Sequence, residues 1–385
     1  MNIFIIAGEP SGDKLGGALM QGLRTLEPDV SFDGVGGPLM QDQGLTSRFD
    51  MSELTVMGIA EVLPKYRSLM RRINETAAAV VNTAPDILVT IDSPDFCLRL
   101  ARRVKAANPG IRTAHYVAPT VWAWRPGRAV KMAKMIDHVL ALFPFEPPYM
   151  EAAGMVCDFV GHPVVAEPVA TDEAALSFRE RYEIGDAPCL LVLPGSRRGE
   201  VSRLAPIFAE SLRPVLAARP ETRIVLPAAG QVAALVAELT SDWPGAPVIL
   251  DPREQTAEAE AAERHAAFRA ADFALAASGT VSLELAAAGT PMVIAYDMNW
   301  LSRQLVTRML QVDTVTLVNL VSETRVVPEF LGNQCKPDAI AKALLDVLAD
   351  PTAQKDAMSL TMLRLGLGGE APGLRAARAV LDRTN

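Results

Sequence analysis

Short, almost wholly apolar runs alternate along this chain with longer segments whose apolar positions recur every three or four residues. The apolar runs predict strands at Ile3–Ala7, Val30–Val35, Ile87–Ile91, Thr113–Val117, His138–Leu142 and Asp158–Gly161. A second series follows at Cys189–Leu193, Arg223–Pro227, Val248–Leu250, Phe273–Ala276 and Met292–Ala295. Helical spacing fills most of the intervals, as at Tyr66–Asn82 and Leu98–Ala107. A strand that is apolar on both faces must be covered on both. The alternation therefore predicts an α/β fold with doubly wound parallel sheets.

The alternation pauses at GHPVVAEPVATDE, residues 161–173, where three prolines and several small residues follow the sixth strand. This predicts two Rossmann-like domains, 1–165 and 166–345, facing a shared cleft. Residues 346–385 read as strandless helices packing across the domains, and they are a candidate surface for a homodimer. Ligands of open parallel sheets bind beyond the carboxyl ends of the strands. Polar and glycine-rich residues directly after strands are therefore the first functional candidates.

Composition narrows the picture. The 385 residues suit two domains, and 50% hydrophobic content is ample for two cores. The 37 basic and 45 acidic residues leave a net charge of −8, which argues against coating nucleic acid through the overall field. Cys97, Cys157, Cys189 and Cys335 form no CxxC pair and read as buried free thiols. The segment MNIFIIAGEPSG has no basic leader and reads as a first strand rather than a signal peptide. No stretch approaches the ~20 apolar residues that span a bilayer. A soluble or peripheral cytoplasmic protein is expected.

Three turns carry candidate chemistry. AGEPSGDKLGG fits neither the dinucleotide fingerprint nor a P-loop, and offers either a helix cap at Ser11 or Asp13 or substrate contacts at Glu9 and Ser11. In LLVLPGSRRGE, Ser196 and Arg197 precede a helix, where backbone N–H groups and a guanidinium suit a phosphate. In AASGTVSLELAAAGTPMVI, Ser278, Gly279 and Thr280 open a helix. Glu284 lies one turn further on the face of Thr280, placed to accept hydrogen bonds from ribose hydroxyls. ILVTIDSPDF ends a buried strand on Asp92 and Asp95, two carboxylates that a core strand would avoid.

The pieces AGEPSGD (7–13), VMGIAEVL (56–63), IDSPDF (91–96), HYVAPTVWAWRPGR (115–128), PFE (144–146), GHP (161–163), LPGSR (193–197) and SGTVSLE (278–284) occur in order over nearly the whole chain. In this ordered set the chain resembles the lipid-A-disaccharide synthase family, glycosyltransferases of the GT-B arrangement. Ala118 and Arg198 are small departures. The resemblance implies an acceptor and lipid side in the first domain and UDP-sugar binding in the second. It implies transfer of 2,3-diacylglucosamine from UDP to 2,3-diacylglucosamine 1-phosphate with inversion, giving a β-1,6-linked disaccharide 1-phosphate and UDP. No metal and no cofactor are implied, and the place of work is the cytoplasmic face of the Gram-negative inner membrane.

On this resemblance, Asp95 is the expected base for the acceptor hydroxyl and Asp92 its orienting partner. The competing reading of Asp95 is a helix cap. Arg197 and the Ser278–Thr280 turn would stabilise departing UDP. Asn319 is a candidate donor contact, and His115 joins Glu9 and Ser11 on the substrate side. His162 reads as structural or substrate-orienting. Trp124 and Arg125 would meet the acceptor phosphate or lipid headgroups, or else belong to a solvated basic face. Val56, Met57, Ile59, Val62 and Leu63, followed by Arg71 and Arg72, form a candidate contact with an anionic membrane. The alternative for that segment is an ordinary amphipathic element on the core. Two rival functions remain: a UDP-N-acetylglucosamine 2-epimerase on the same architecture, and a non-catalytic nucleotide-sugar or lipid-binding protein.

Overall fold

Buried β-rich pentads such as Ile87–Ile91 and Cys189–Leu193 can satisfy their backbone groups only within a sheet, and the computed structural model shows two sheets. It describes residues 1–54, 62–125, 127–298 and 311–384, with the backbone alone at 62–65. The first sheet contains β1 (Asn2–Ala7), β2 (Ser31–Val35), β3 (Ile87–Ile91), β4 (Arg112–Tyr116), β5 (His138–Ala141) and β6 (Val156–Phe159). The second contains β7 (Cys189–Leu193), β8 (Arg223–Pro227), β9 (Val248–Leu250), β10 (Phe273–Ala276), β11 (Met292–Tyr296) and β12 (Glu329–Leu331). Every strand pair is parallel. The α/β class with doubly wound parallel sheets is thus observed. β12 has no counterpart in the sequence reading: it is half-buried throughout and opens on the charged Glu329, where β9, an edge strand of the same length, is wholly apolar.

The helices of the first half are α1 (Pro10–Leu26), α2 (Pro38–Gln41), α3 (Val62–Thr83), α4 (Pro94–Ala107), α5 (Gly127–Met132) and α6 (Pro147–Glu151). The second half has α7 (Asp172–Arg181), α8 (Arg198–Ala218), α9 (Ala233–Thr240), α10 (Ala257–Ala270), α11 (Val281–Ala288) and α12 (Leu317–Ser322). The chain finishes with α13 (Pro337–Ala349), α14 (Thr352–Leu365) and α15 (Pro372–Thr384). All four cysteines are buried and none forms a disulfide.

Strand order locates the sites. The first sheet runs β2-β1-β3-β4-β5-β6, so the chain reverses its direction of winding between β1 and β3. The second runs β12-β11-β10-β7-β8-β9, with the reversal between β7 and β10. At each reversal the two flanking loops diverge to opposite faces and leave a crevice at the carboxyl ends, where open α/β sheets bind ligands.

The chain divides into two units, Met1–Ala166 with Leu365–Asn385, and Glu167–Arg364. Residues 346–385, expected as a tail across the domains, divide between these units. Helix α14 is pinned to β11 by Gln354, whose side chain bonds the N–H and the carbonyl of Met292 at 2.8 and 3.0 Å. Helix α15 completes the first unit. Arg375 donates to the Phe159 carbonyl at 2.8 Å and covers the Phe159 ring.

Glycines set the approach of α15 to α1. A Cβ on Gly373 would stand 2.6 Å from the Ala18 carbonyl oxygen, and one on Gly22 would stand 2.7 Å from the Gly373 oxygen. Backbone cannot yield as a flexible side chain does. Gly373→Ala is therefore expected to destabilise the chain by about 1–3 kcal/mol, read as a lower urea midpoint. An unchanged midpoint would show that α15 is not held by this contact.

Candidate active site

At the reversal point of the first sheet, β1 delivers Gly8 and Glu9, and β3 delivers Asp92 and Ser93. Asp92 and Ser93 both adopt left-handed backbone conformations, with φ of 49° and 41°. Such a turn costs about 1–3 kcal/mol per residue unless the surroundings enforce it. They do here. The Asp92 N–H donates to the Tyr116 carbonyl at 3.0 Å, tying the turn to the end of β4. Gly8 leaves room for Ser93, because a Cβ there would meet Ser93 Oγ at 2.7 Å. The chain then enters α4 at Pro94 with Asp95 in the first turn.

The two aspartates differ. Asp92 is half-buried, and desolvation raises its carboxyl above the usual carboxylate range, with the Ser93 N–H opposing. Asp95 is exposed. Ser93 is the N-cap residue of α4 and its side chain does not cap the helix, while Asp95 lies inside the first turn, beyond the cap position. Glu9 and Ser11 are also exposed at this end of the sheet. Asp13 does not cap α1. It is buried and accepts from the N–H groups of Gly37, Leu39 and Met40 at 2.8, 3.0 and 3.1 Å, thereby capping α2. This aspartate shapes the neighbouring loop, a role that only the fold reveals.

Other candidates on this side are sorted by burial. His115 lies within β4, 2% exposed, with Nδ1 2.8 Å from Thr90 Oγ1. Burial, aided by Arg128, pushes its imidazole down to about 4. It is a neutral core histidine beneath the site, and this corrects its expected place on the substrate side. His162 is buried too, and its Nδ1 accepts from the Val164 N–H at 3.2 Å. Trp124 and Arg125 are exposed. The Arg125 guanidinium lies 4.4 Å from the Trp124 ring centroid, and Trp124 Nε1 donates to Thr120 Oγ1 at 3.0 Å.

At the reversal point of the second sheet, β7 delivers Gly195, Ser196 and Arg197, and β10 delivers Ser278, Gly279 and Thr280. Gly195 has φ of 114° and sits against the Glu200 side chain. Glu200 reaches back to the Arg197 N–H at 3.3 Å and to its guanidinium at 3.2 Å. Arg197 remains 80% exposed, so this pair leaves the cation open to a stronger anion. Gly279 and Thr280 are exposed at the start of α11. Glu284, one turn on, is half-buried and paired to Arg264 of α10 at 2.5 Å. Arg264, itself stacked over Phe268, escaped the sequence reading because it lies twenty residues from its partner. Asn319 is not available to a ligand. It is 1% exposed, its Nδ2 donates to the Val327 carbonyl at 2.9 Å, and its Oδ1 accepts from the Val327 N–H at 3.0 Å. It braces the approach to β12, which corrects its assignment as a donor contact.

The expected membrane segment is only partly described. Val56, Met57 and Ile59 lie outside the described residues, and Val62 and Leu63 begin α3. Arg71 is exposed. Arg72 is committed to the fold: it meets Glu53 at 2.6 Å and Glu75 at 3.0 Å, and stacks over Phe49. No described helix is long and apolar enough to cross a membrane.

With the geometry in view, relatives can be compared. A family model described as lipid-A-disaccharide synthetase matches residues 3–371. A lipid-A-disaccharide synthase of Ruegeria pomeroyi is 65% identical over 383 residues, covering 100% of this chain and 95% of the relative. One of Rhodospirillum centenum is 46% identical, covering 99% and 94%. Among solved structures, a UDP-GlcNAc 2-epimerase from Neisseria meningitidis bound to UDP-GlcNAc superposes with a TM-score of 0.63 at 11% identity, covering 100% and 99%. A glycosyltransferase from Rickettsia africae gives 0.58 at 12%, covering 100% and 97%. At such identities the structural likeness shows the GT-B fold alone, and the epimerase reading has no support beyond it.

The neutral His115 has a thermodynamic consequence. The unfolded chain takes up this proton near pH 6.5, whereas the folded chain waits until about pH 4. Acid therefore favours unfolding across that window. His115→Gln should remove roughly 3 kcal/mol of the stability lost between pH 7 and 4, measured by urea unfolding at both. Equal losses in variant and wild type would contradict the buried neutral state.

Proposed function

Since the chain belongs to the lipid-A-disaccharide synthetase family and is a glycosyltransferase of lipid A biosynthesis, we propose that it moves 2,3-diacylglucosamine from UDP to 2,3-diacylglucosamine 1-phosphate. The observation that carries this reading is the 65% identity over the whole length of a lipid-A-disaccharide synthase. The product is the β-1,6-linked disaccharide 1-phosphate, with UDP released and the anomeric configuration inverted.

Inversion in one displacement needs a base for the acceptor hydroxyl and a sink for charge on the leaving diphosphate. Asp95 is the base. Its support is exposure at the carboxyl end of β3, in a helix turn where it does not serve as the cap. Asp92 orients it, held in a rigid turn by the bond to the Tyr116 carbonyl. A positioned base of this kind supplies about 10²–10⁴-fold. On the donor side, Arg197 and the backbone at Ser278–Thr280 take the diphosphate, aided by Ser196. Glu284, fixed by Arg264, accepts from the ribose hydroxyls. On the acceptor side, Glu9, Ser11, Trp124 and Arg125 bind the sugar phosphate.

The lipid substrates place the enzyme at the cytoplasmic face of the inner membrane. Val56, Met57, Ile59, Val62 and Leu63 with Arg71 make that contact, while Arg72 is held by Glu53 and Glu75. The terminal helices are the candidate face for a homodimer.

Two measurements test this reading. With both lipid substrates in detergent micelles, Asp95→Ala should lower kcat by about 10²–10⁴-fold while still binding UDP, and Asp92→Asn should fall less. A fully active Asp95→Ala beside an inactive Asp92→Asn would exchange the two roles. Separately, Met57→Ser combined with Val62→Ser should reduce binding to anionic liposomes and leave UDP binding intact. Unchanged liposome binding removes this segment from the membrane contact.

A further inference from the structure

A buried carboxylate lies under the acceptor-side loops and takes no part in the chemistry above. Glu146, from the loop between β5 and α6, is 2% exposed. Its Oε2 accepts from the N–H groups of Leu142 and Phe143 at 3.1 and 3.0 Å, closing its own loop. Its Oε1 faces the preceding crossover, where it accepts from Trp122 Nε1 at 3.4 Å. Around this pair stands an aromatic cluster. Phe145 meets Trp122 edge-on with centroids 5.1 Å apart, Phe143 stacks on Phe145 at 5.3 Å, and His162 lies 5.3 Å from Phe143.

A carboxylate merely closing its own loop would need only the two backbone bonds. The third bond ties the loop after β5 to residues 117–125 after β4, which carry Trp124 and Arg125. The same strand ends lead to the aspartates. The Val117 N–H donates to the Leu140 carbonyl at 3.0 Å, and the carbonyl of Tyr116, one residue earlier, holds the Asp92 N–H. Val117 itself has φ of 83°, a conformation a β-branched residue adopts only when its surroundings impose it.

We propose that Glu146 is a positioning residue for the acceptor: through Trp122 it sets the loop that presents Trp124 and Arg125 to the sugar phosphate. This rests on the transferase reading given above. The role is acceptor-specific, because the loop that Glu146 ties down through Trp122 is the one that carries Trp124 and Arg125.

The test is steady-state kinetics of Glu146→Gln, Trp122→Phe and the double variant, varying donor and acceptor separately. Glu146→Gln keeps the shape but brings an amide N–H against Trp122 Nε1–H or the backbone donors. Trp122→Phe removes the indole donor together with part of the ring that meets Phe145, and leaves the loop-closing bonds of Glu146 in place. Each single variant should raise the acceptor KM about tenfold, the value of one hydrogen bond, with donor KM and kcat changed less than twofold. The double variant should be no worse than the more affected single one, because both changes break one link. An unchanged acceptor KM in Trp122→Phe, equal rises in both KM values, or additive effects would overturn the proposal. If Glu146→Gln does not fold, Trp122→Phe decides alone through its acceptor-to-donor split. A wild type that makes no disaccharide would instead overturn the transferase reading beneath it.

Discussion

The left-handed turn at Asp92 and Ser93 is the constraint on which the first unit depends. Two consecutive non-glycine residues at positive φ do not persist in a free loop. They persist here because β3 is clamped between β1 and β4, because the Asp92 N–H is satisfied by the Tyr116 carbonyl, and because Gly8 yields its side-chain space to Ser93. The turn directs the chain abruptly from strand to helix. Asp92 is left half-buried at the sheet edge while Asp95 stands out one turn later. Desolvation raises the Asp92 carboxyl, with the Ser93 N–H opposing, whereas Asp95 stands exposed in the first turn of α4.

The second unit solves a different problem with the same topology. Its reversal point gathers cationic and N–H-rich groups in place of carboxylates: Arg197 at the start of α8, and the Ser278–Thr280 turn at the start of α11. The acids beside these turns are paired, Glu284 with Arg264 and Glu200 with Arg197, which would limit their repulsion of a diphosphate. On the proposed reading, one sheet supplies the acid and the other binds the anion, the division that transfer from a nucleotide sugar calls for.

How much of this was legible beforehand depends on the range of the interaction. The strand positions other than β12, the three glycine-rich turns and the paired aspartates follow from local pattern, since a fully buried parallel strand ends where polar residues begin. Roles that need a distant partner were not readable. Asp13 looks like a cap for its own helix but serves α2, twenty-four residues away at Gly37. His115 and Asn319 were candidates on the resemblance, yet a side-chain bond to Thr90 and main-chain bonds to Val327 hold them in the core. Arg72 looked like a membrane cation until Glu53 was found beside it. Glu146 entered only as the last residue of the piece PFE, which does not announce a buried glutamate whose carboxyl burial pushes up to about 7.

The central claim is single displacement by a carboxylate base on the acceptor, with UDP leaving from the opposite face of the donor sugar. The most direct measurement is the anomeric configuration of the disaccharide formed by the wild-type enzyme from an α-linked UDP donor, read by proton NMR before any rearrangement. The account predicts the β-linked product throughout the reaction. An α-linked product would mean retention, which one attack assisted by Asp95 cannot give.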